Sequence, residues 1–331
     1  MRRWAPEVAF VHGLRSSQLE REILDMCPSV MFAHGYYGTC ATGTKLHLQP
    51  ELEACARTLE PACLILNYTR RCGMRNPRSL FLNYLLQSQR SQMLKRYQSV
   101  LVASSHMREE YARAGLDETR LRVAPYPVAA PQVTVSEFDE SPSPESLLFV
   151  GRITELKGLP FLIEAIPLAA RRLGRRLSLT VAGDGPLRQH AESMAACTDA
   201  NVRFVGWLRG DEVESLMRTA DLLVVPSVWP EPFGMVGVEG GRVGLPSVAF
   251  DVGGVRDWLE PGVSGELAAG NPPTAAGLAD AIVRALVNPS SHRGLRAGAL
   301  SVSRRFTMDA HLRVLAEALG RANVQSATPS R

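Results

Sequence analysis

Residues 220–246 read ADLLVVPSVWPEPFGMVGVEGGRVGLP. The apolar run Leu222–Val225 has the β-branched, uncharged composition of a buried strand. Pro226, Pro230 and Pro232 then break the chain into a loop, and helical spacing resumes near Gly234. The first N–H groups of a helix have no intrahelical partner and carry partial positive charge, so a helix opening at a sheet rim binds anions, phosphate above all. Glu231 and Glu239 stand eight residues apart around Phe233-Gly234-Met235. A carboxylate accepts two hydrogen bonds at once and suits a vicinal diol. The stretch therefore points to a phosphorylated sugar compound.

The same grammar extends outward. SLLFVGR (146–152), LSLTVAGDG (177–185), VRFVGW (202–207) and PSVAFDV (246–252) are short apolar runs, separated by helix-like segments such as 159–174 and 211–220. Alternating strands and helices predict a parallel sheet covered on both faces and doubly wound. Upstream, PEVAFVHG (6–13), PSVMFAHG (28–35) and SVLVAS (99–104) read as buried strands of another such sheet. SEFDESPSPES (136–146) is acidic and Pro-broken, as a linker is. The expected division is a short N-terminal domain over 1–140, a ligand-binding domain over 141–310, and a closing amphipathic helix with a tail over 311–331. Ligands of open α/β sheets sit beyond the carboxyl ends of the strands. Gly151-Arg152, Gly183-Asp184-Gly185, Gly206-Trp207 and Pro226-Ser227 all fall at such ends, and their convergence on one rim is the strongest signal in the chain.

The bulk numbers narrow the class. The chain has 331 residues, 45% apolar and 21% charged, a composition of globular domains. No apolar run reaches the roughly 18–20 residues of a spanning helix, and the N-terminus lacks the pattern of a signal peptide. A cytoplasmic location is expected. Net charge is only +4, which makes no case for nucleic acid as a partner. Residues 70–108 nevertheless hold eight Lys or Arg and no Asp or Glu. Within them, residues 80–98 mix apolar and basic side chains at roughly helical spacing. Two readings stand: a core-facing helix with a solvated basic side, or peripheral contact with the anionic inner face of a membrane. Cys27, Cys40, Cys55, Cys63 and Cys72 fall in the first quarter, far from Cys197, without a C-x-x-C pair. Reduced buried or loop thiols, a zinc site, and a disulfide clip within 40–72 all remain open.

Taken in order, FVGRITELKG, VAGDGP, VRFVGW and the segment from Pro226 to Leu267 resemble the donor half of family 4 glycosyltransferases. The likeness covers roughly 145–268, and residues 99–128 resemble the end of the family's first domain. The resemblance implies a GT-B fold of two Rossmann-like doubly wound domains facing across a cleft. It also implies transfer of a hexosyl-type sugar, with retention, from a nucleotide-sugar co-substrate to a glycan, lipid-linked or small-molecule acceptor, without a metal or other cofactor.

The roles carried over have a physical basis. Cleavage of a sugar–phosphate bond leaves charge on the diphosphate, and Arg152 and Lys157, five residues apart on one loop, are its expected partners. Backbone amides of Gly234, Met235 and Val236 would add donors. Glu231 would hold hydroxyls of the donor sugar and Glu239 the ribose. Gly151, Gly183, Asp184, Gly185, Gly206 and Phe233 complete the expected donor site, although Asp184 reads equally well as a turn acid. The loop after Gly206 would frame the base. His34, at a strand end in AHGYYGTC, resembles the family's histidine facing the donor sugar and reads almost as well as a structural histidine, and His12 is a weaker candidate. No carboxylate nucleophile is evident in the first domain, so front-side displacement is the implied route.

The sequence departs from the family at its start, where the usual first strand and Gly-rich loop are missing. An incomplete reading frame, a fragment completed by another subunit, and a noncatalytic nucleotide-sugar-binding descendant are the three expectations. A dinucleotide oxidoreductase is excluded, because no G-x-G-x-x-G follows a strand with an acid about 20 residues on.

Overall fold

The structure, a computed structural model, describes residues 6–14, 16–130, 133 and 145–327, with residues 323–327 described through their backbone. Two compact units are present. One is formed by the chain up to Pro127 together with the segment from Met308 onward, the other by Val128–Thr307. Most of the expected linker, and the boundary expected at 140/141, lie outside the described residues.

The first unit contains β1 (Ala9–His12), α1 (Ser17–Met26), β2 (Ser29–Ala33), a small hairpin of β3 (Leu46–His47) and β4 (Glu53–Ala54), α2 (Cys63–Thr69), α3 (Pro77–Leu94), β5 (Ser99–Val102), α4 (Ser105–Arg113) and β6 (Leu121–Val123). Its main sheet runs β1-β2-β5-β6 with every pair parallel. All five residues of β2 are buried, as expected of a strand covered on both faces. Helix starts follow local chemistry. The Ser16 hydroxyl accepts the Leu19 N–H at 3.2 Å, and the Asn76 side chain accepts from Ser79 ahead of Pro77, whose missing N–H costs nothing in a first turn. Glu20 on α1 is fully buried and accepts hydrogen bonds from the hydroxyls of Tyr97, at 2.8 Å, and Tyr37.

The C-terminal helix α11 (Met308–Ala327) belongs to this unit, packing on β2 and β5. The His311 Nδ1–H donates to the Pro125 carbonyl at 2.9 Å, and its ring lies 5.9 Å from that of Phe32. Helix α3 is buried along part of its surface. Leu80, Met93 and Leu94 are buried, yet Phe81, Leu82 and Leu85 are exposed. Buried Gln87 turns inward to accept the Gly38 N–H at 2.8 Å.

The second unit contains β7 (Ser146–Val150), α5 (Leu159–Leu173), β8 (Ser178–Ala182), α6 (Arg188–Ala196), β9 (Asn201–Gly206), α7 (Gly210–Thr219), β10 (Leu222–Val225), α8 (Met235–Arg242), β11 (Ser247–Phe250), β12 (Gly265–Ala268), α9 (Ala275–Leu286) and α10 (Pro289–Ser303). Its sheet is β12-β11-β10-β7-β8-β9, parallel throughout. The Asp221 carboxylate pins β7 beside β10 by accepting from the Glu145 and Ser146 N–H groups, each at 2.9 Å, and from the Ser146 hydroxyl at 2.7 Å. The two helix-weakening glycines of α8 have a packing reason. A Cβ at Gly240 would stand 2.9 Å from Leu223 Cδ2, and one at Gly241 would stand 2.9 Å from the Ala299 carbonyl of α10. The helix lies too close to its neighbours for Ala.

Substituting Tyr97→Phe removes one of the two hydroxyls that satisfy Glu20. A loss of about 1–3 kcal/mol is expected, read as a lower urea midpoint at unchanged slope.

Candidate active site

Strand ends of the second unit are joined edge to edge by backbone. The Gly151 N–H donates to the Ala182 carbonyl at 3.0 Å, Ile153 to Asp184 at 2.9 Å, Gly183 to Gly206 at 2.7 Å, and Val228 to Leu156 at 2.9 Å. A Cβ at Gly183 would lie 1.9 Å from the Gly151 oxygen. Gly158 adopts a left-handed conformation, φ 64°, and a Cβ there would meet the Pro226 carbonyl at 1.9 Å, so the loop carrying Lys157 and the loop after β10 touch through a residue that must be glycine.

That contact brings Lys157 to Glu231. Lys157 Nζ donates to both carboxylate oxygens of Glu231, at 3.0 and 2.9 Å. The indole N–H of Trp229 adds a third donor at 2.9 Å. Glu231 is 7% exposed, and its own carbonyl accepts the Gly254 N–H at 2.7 Å. A nearly buried carboxylate is thus held in one orientation by a cation and an indole. Arg152, on the same loop as Lys157, is exposed, and among the described residues no ion pair engages it.

Helix α8 opens immediately after this pair. Gly234, φ 89°, precedes its first turn, and no side chain caps the N–H groups there. Trp258 covers the helix start. Its indole N–H donates to the Phe233 carbonyl at 2.5 Å, and a Cβ at Gly237 would fall 2.1 Å from the indole ring. Glu239 sits in the second turn, half-buried. Burial raises its carboxyl above the usual range, with Arg242 pulling the other way. Among the described residues no hydrogen bond engages it.

Two expected donor residues, Phe233 and Asp184, have intramolecular partners. Phe233 is 1% exposed and packs edge-on against Phe306, ring centroids 5.5 Å apart. Its aromatic ring belongs to the core. Asp184 accepts from the Gly185 N–H at 2.7 Å and from Arg188 at 3.0 Å. These bonds lower its pKa and hold it in the turn. Gly151, Gly183, Gly185 and Gly206 shape the rim as backbone.

In the first unit, His34 ends β2 within a chain of rings. His34 Nδ1 meets the Tyr126 hydroxyl at 2.6 Å, and Nε2 meets His12 Nδ1 at 2.9 Å. Both nitrogens of His34 are therefore engaged within the unit. Burial lowers the pKa of His34, with His12 adding to the effect; burial, then His311, does the same for His12. Both imidazoles are neutral at pH 7.

Sequence reasoning missed Trp229, Trp258 and Tyr126. Trp258 carried a signal, since the unexplained Gly234 and Gly237 imply a bulky neighbour. Tyr126 carried none, since its partner lies 92 residues away.

With this geometry in view, comparison with known proteins is decisive for the second unit. Residues 144–288 match the model of the family "Glycosyl transferases group 1". The second unit is similar to a glycosyltransferase group 1 domain over those residues. An uncharacterized glycosyltransferase of Methanocaldococcus jannaschii is 38% identical over 123 residues, covering 36% of this chain and 30% of that protein. The glycogen synthase of Mycobacterium tuberculosis is 35% identical over 156 residues, covering 45% and 35%. The chain thus spans about a third of the length of the curated relatives it matches. Among solved structures, sucrose-phosphate synthase from Thermosynechococcus elongatus superposes with a TM-score of 0.67 at 20% identity, covering 97% of this chain and 74% of that one. Anabaena HepE, crystallised with UDP and glucose, gives 0.65 at 18%, covering 94% and 77%. Identities this low speak for fold alone, and the fold is the α/β GT-B type.

Depressed histidines make stability depend on pH. His12, His34 and buried His292, whose Nε2–H donates to the Asp221 carbonyl at 2.8 Å, all lie below the ordinary value, chiefly through burial. The unfolded chain takes up protons near about pH 6.5 that the folded chain refuses, so their contribution is complete above that pH and declines as pH falls below it. The melting temperature should drop between about pH 7.5 and about pH 5.5. His292→Gln should flatten that slope in thermal denaturation.

Proposed function

We propose that this chain is a retaining, metal-independent glycosyltransferase that takes a hexosyl group from a nucleotide sugar and passes it to an acceptor hydroxyl. The observation that carries this reading is the fixed Lys157–Glu231 pair beside the uncapped start of α8. Positive charge from Arg152 and Lys157, with the free amides of the first turn, suits a leaving diphosphate and takes the place a divalent cation has in other phosphate chemistry. Glu231 is oriented to hydrogen-bond sugar hydroxyls and to favour the positive charge that develops on the ring. Glu239, desolvated and unengaged, gains most from a ribose diol that supplies two donors. Trp207 follows Gly206 and is 76% exposed, which suits it to stack on a base. A uridine diphosphate sugar is the donor class favoured by analogy with HepE.

Assay with radiolabelled nucleotide sugars, in the presence of a chelator, tests the reading. Donor hydrolysis or transfer should persist with chelator and fall at least 100-fold in Lys157→Ala and Glu231→Ala, on the order of the loss of one electrostatic donor. Retained turnover in both variants, or nucleotide binding without any turnover, would refute it. The second outcome marks a noncatalytic binder.

We also propose peripheral contact with an anionic membrane through α2 and α3, which pack together. Ile65, Tyr68, Phe81, Leu82 and Leu85 are 70, 45, 51, 64 and 42% exposed, and Arg71, Arg75 and Arg78 are exposed beside them. An apolar face rimmed by cations is the pattern of an interfacial element, with each cation near an anionic surface worth about 1 kcal/mol. Among the described residues no helix is long and apolar enough to cross a membrane. The protein should float with phosphatidylglycerol vesicles and stay behind with phosphatidylcholine vesicles. Leu82→Glu should abolish flotation.

A further inference from the structure

The first unit contains a cavity that the donor chemistry does not use. Cys40, Cys55, Cys63 and Cys72 all line it, together with Lys45 and His47. The four thiols come from separate pieces of chain: after β2, after β4, at the start of α2 and just beyond its end. The other two cysteines lie elsewhere: the Cys27 thiol faces the Ile23 carbonyl at 4.0 Å, and Cys197 is exposed on the second unit. All are free thiols.

The arrangement discriminates between kinds of metal site. A single tetrahedral ion needs its sulfurs about 2.3 Å from one point. Among the described residues no three or more His, Cys, Asp or Glu side chains are gathered that closely. The thiols instead surround a space. A site whose sulfurs stand around a void suits a polynuclear centre, in which each thiolate meets a different metal atom.

Lys45 is 2% exposed, pairs with Glu110 at 2.7 Å and donates to the Arg57 carbonyl at 2.5 Å. Its side chain lines the same cavity as the four thiols. The backbone of Arg57 hydrogen-bonds Cys55, that of Glu60 hydrogen-bonds Cys63, and the Thr42 hydroxyl lies 3.5 Å from Cys40. Hydrogen bonds to the sulfurs are part of how proteins hold iron–sulfur clusters.

We propose that the cavity binds a [4Fe–4S] cluster through Cys40, Cys55, Cys63 and Cys72. Each iron–thiolate bond replaces one S–H bond, so loading a preformed cluster releases one proton per cysteine and changes no oxidation state. The role is structural: four separate chain segments beside α3 become one cross-linked body, and cluster binding adds to folding stability.

The test is purification of the whole chain under anaerobic conditions, followed by reconstitution with equal amounts of ferrous and ferric iron and with sulfide. About four irons and about four acid-labile sulfides per chain are expected, with visible absorption that bleaches on reduction. Cys63→Ser and Cys72→Ser should each lose more than half of the iron, whereas Cys197→Ser should lose none. The wild-type count decides even where a variant fails to fold. One zinc per chain without sulfide, paired disulfides, or free thiols that take up no iron would each overturn the proposal.

Discussion

The second unit is organised around a nearly buried carboxylate that cannot be left without donors. Glu231 is held by Lys157 and Trp229, and the pair exists only because two loops touch at Gly158 and Pro226. Removing one partner of a buried pair costs about 3–5 kcal/mol when both are buried, because an uncompensated charge remains. Lys157 keeps 28% of its side chain exposed, so the cost here is smaller, and its ammonium still reaches solvent. The same pair is thus a structural link and an accessible charge. That combination suits a group that must meet an anionic ligand without first being rearranged.

Helix α8 is placed by the opposite means, absence of side chains. Gly237 admits the Trp258 indole, Gly240 admits Leu223, and Gly241 admits the backbone of α10. Each glycine costs up to about 1 kcal/mol of helix propensity relative to Ala, offset here by close packing. The consequence for the site is positional. A helix sunk this far toward β10 presents its uncapped start beside Glu231 and turns Glu239 into a half-buried position.

The first unit invests its polar groups differently. All three of Glu20, Lys45 and Glu110 are buried: Glu20 accepts from tyrosine hydroxyls, Lys45 donates to a carbonyl, and Glu110 forms ion pairs with Lys45 and Arg113. The ring chain Tyr126–His34–His12 is held neutral by burial. His34, the histidine that sequence likeness singled out, has both nitrogens engaged within this chain, so any exchange with an acceptor hydroxyl requires one of those two bonds to give way.

The sequence by itself determined the secondary structure and the class of the second unit. Buried parallel strands are continuous apolar runs, and glycines and prolines mark their ends, so 146–152, 177–185, 202–207, 220–227 and 246–252 were legible as strand-to-loop junctions. Lys157, Glu231 and Glu239 were legible for the same reason, since spacing along a strand-loop-helix unit is local. Strands β6 and β12 were not, being three or four residues long and lacking a distinctive run. The inward turn of Phe233 depended on Phe306, 73 residues later in the chain, and the place of α11 in the first unit depended on β2 and β5. The gathering of four cysteines round one cavity had no signature in their spacing. Contacts between distant segments are fixed by packing and burial, which no local window of sequence contains, and only the tertiary structure decided them.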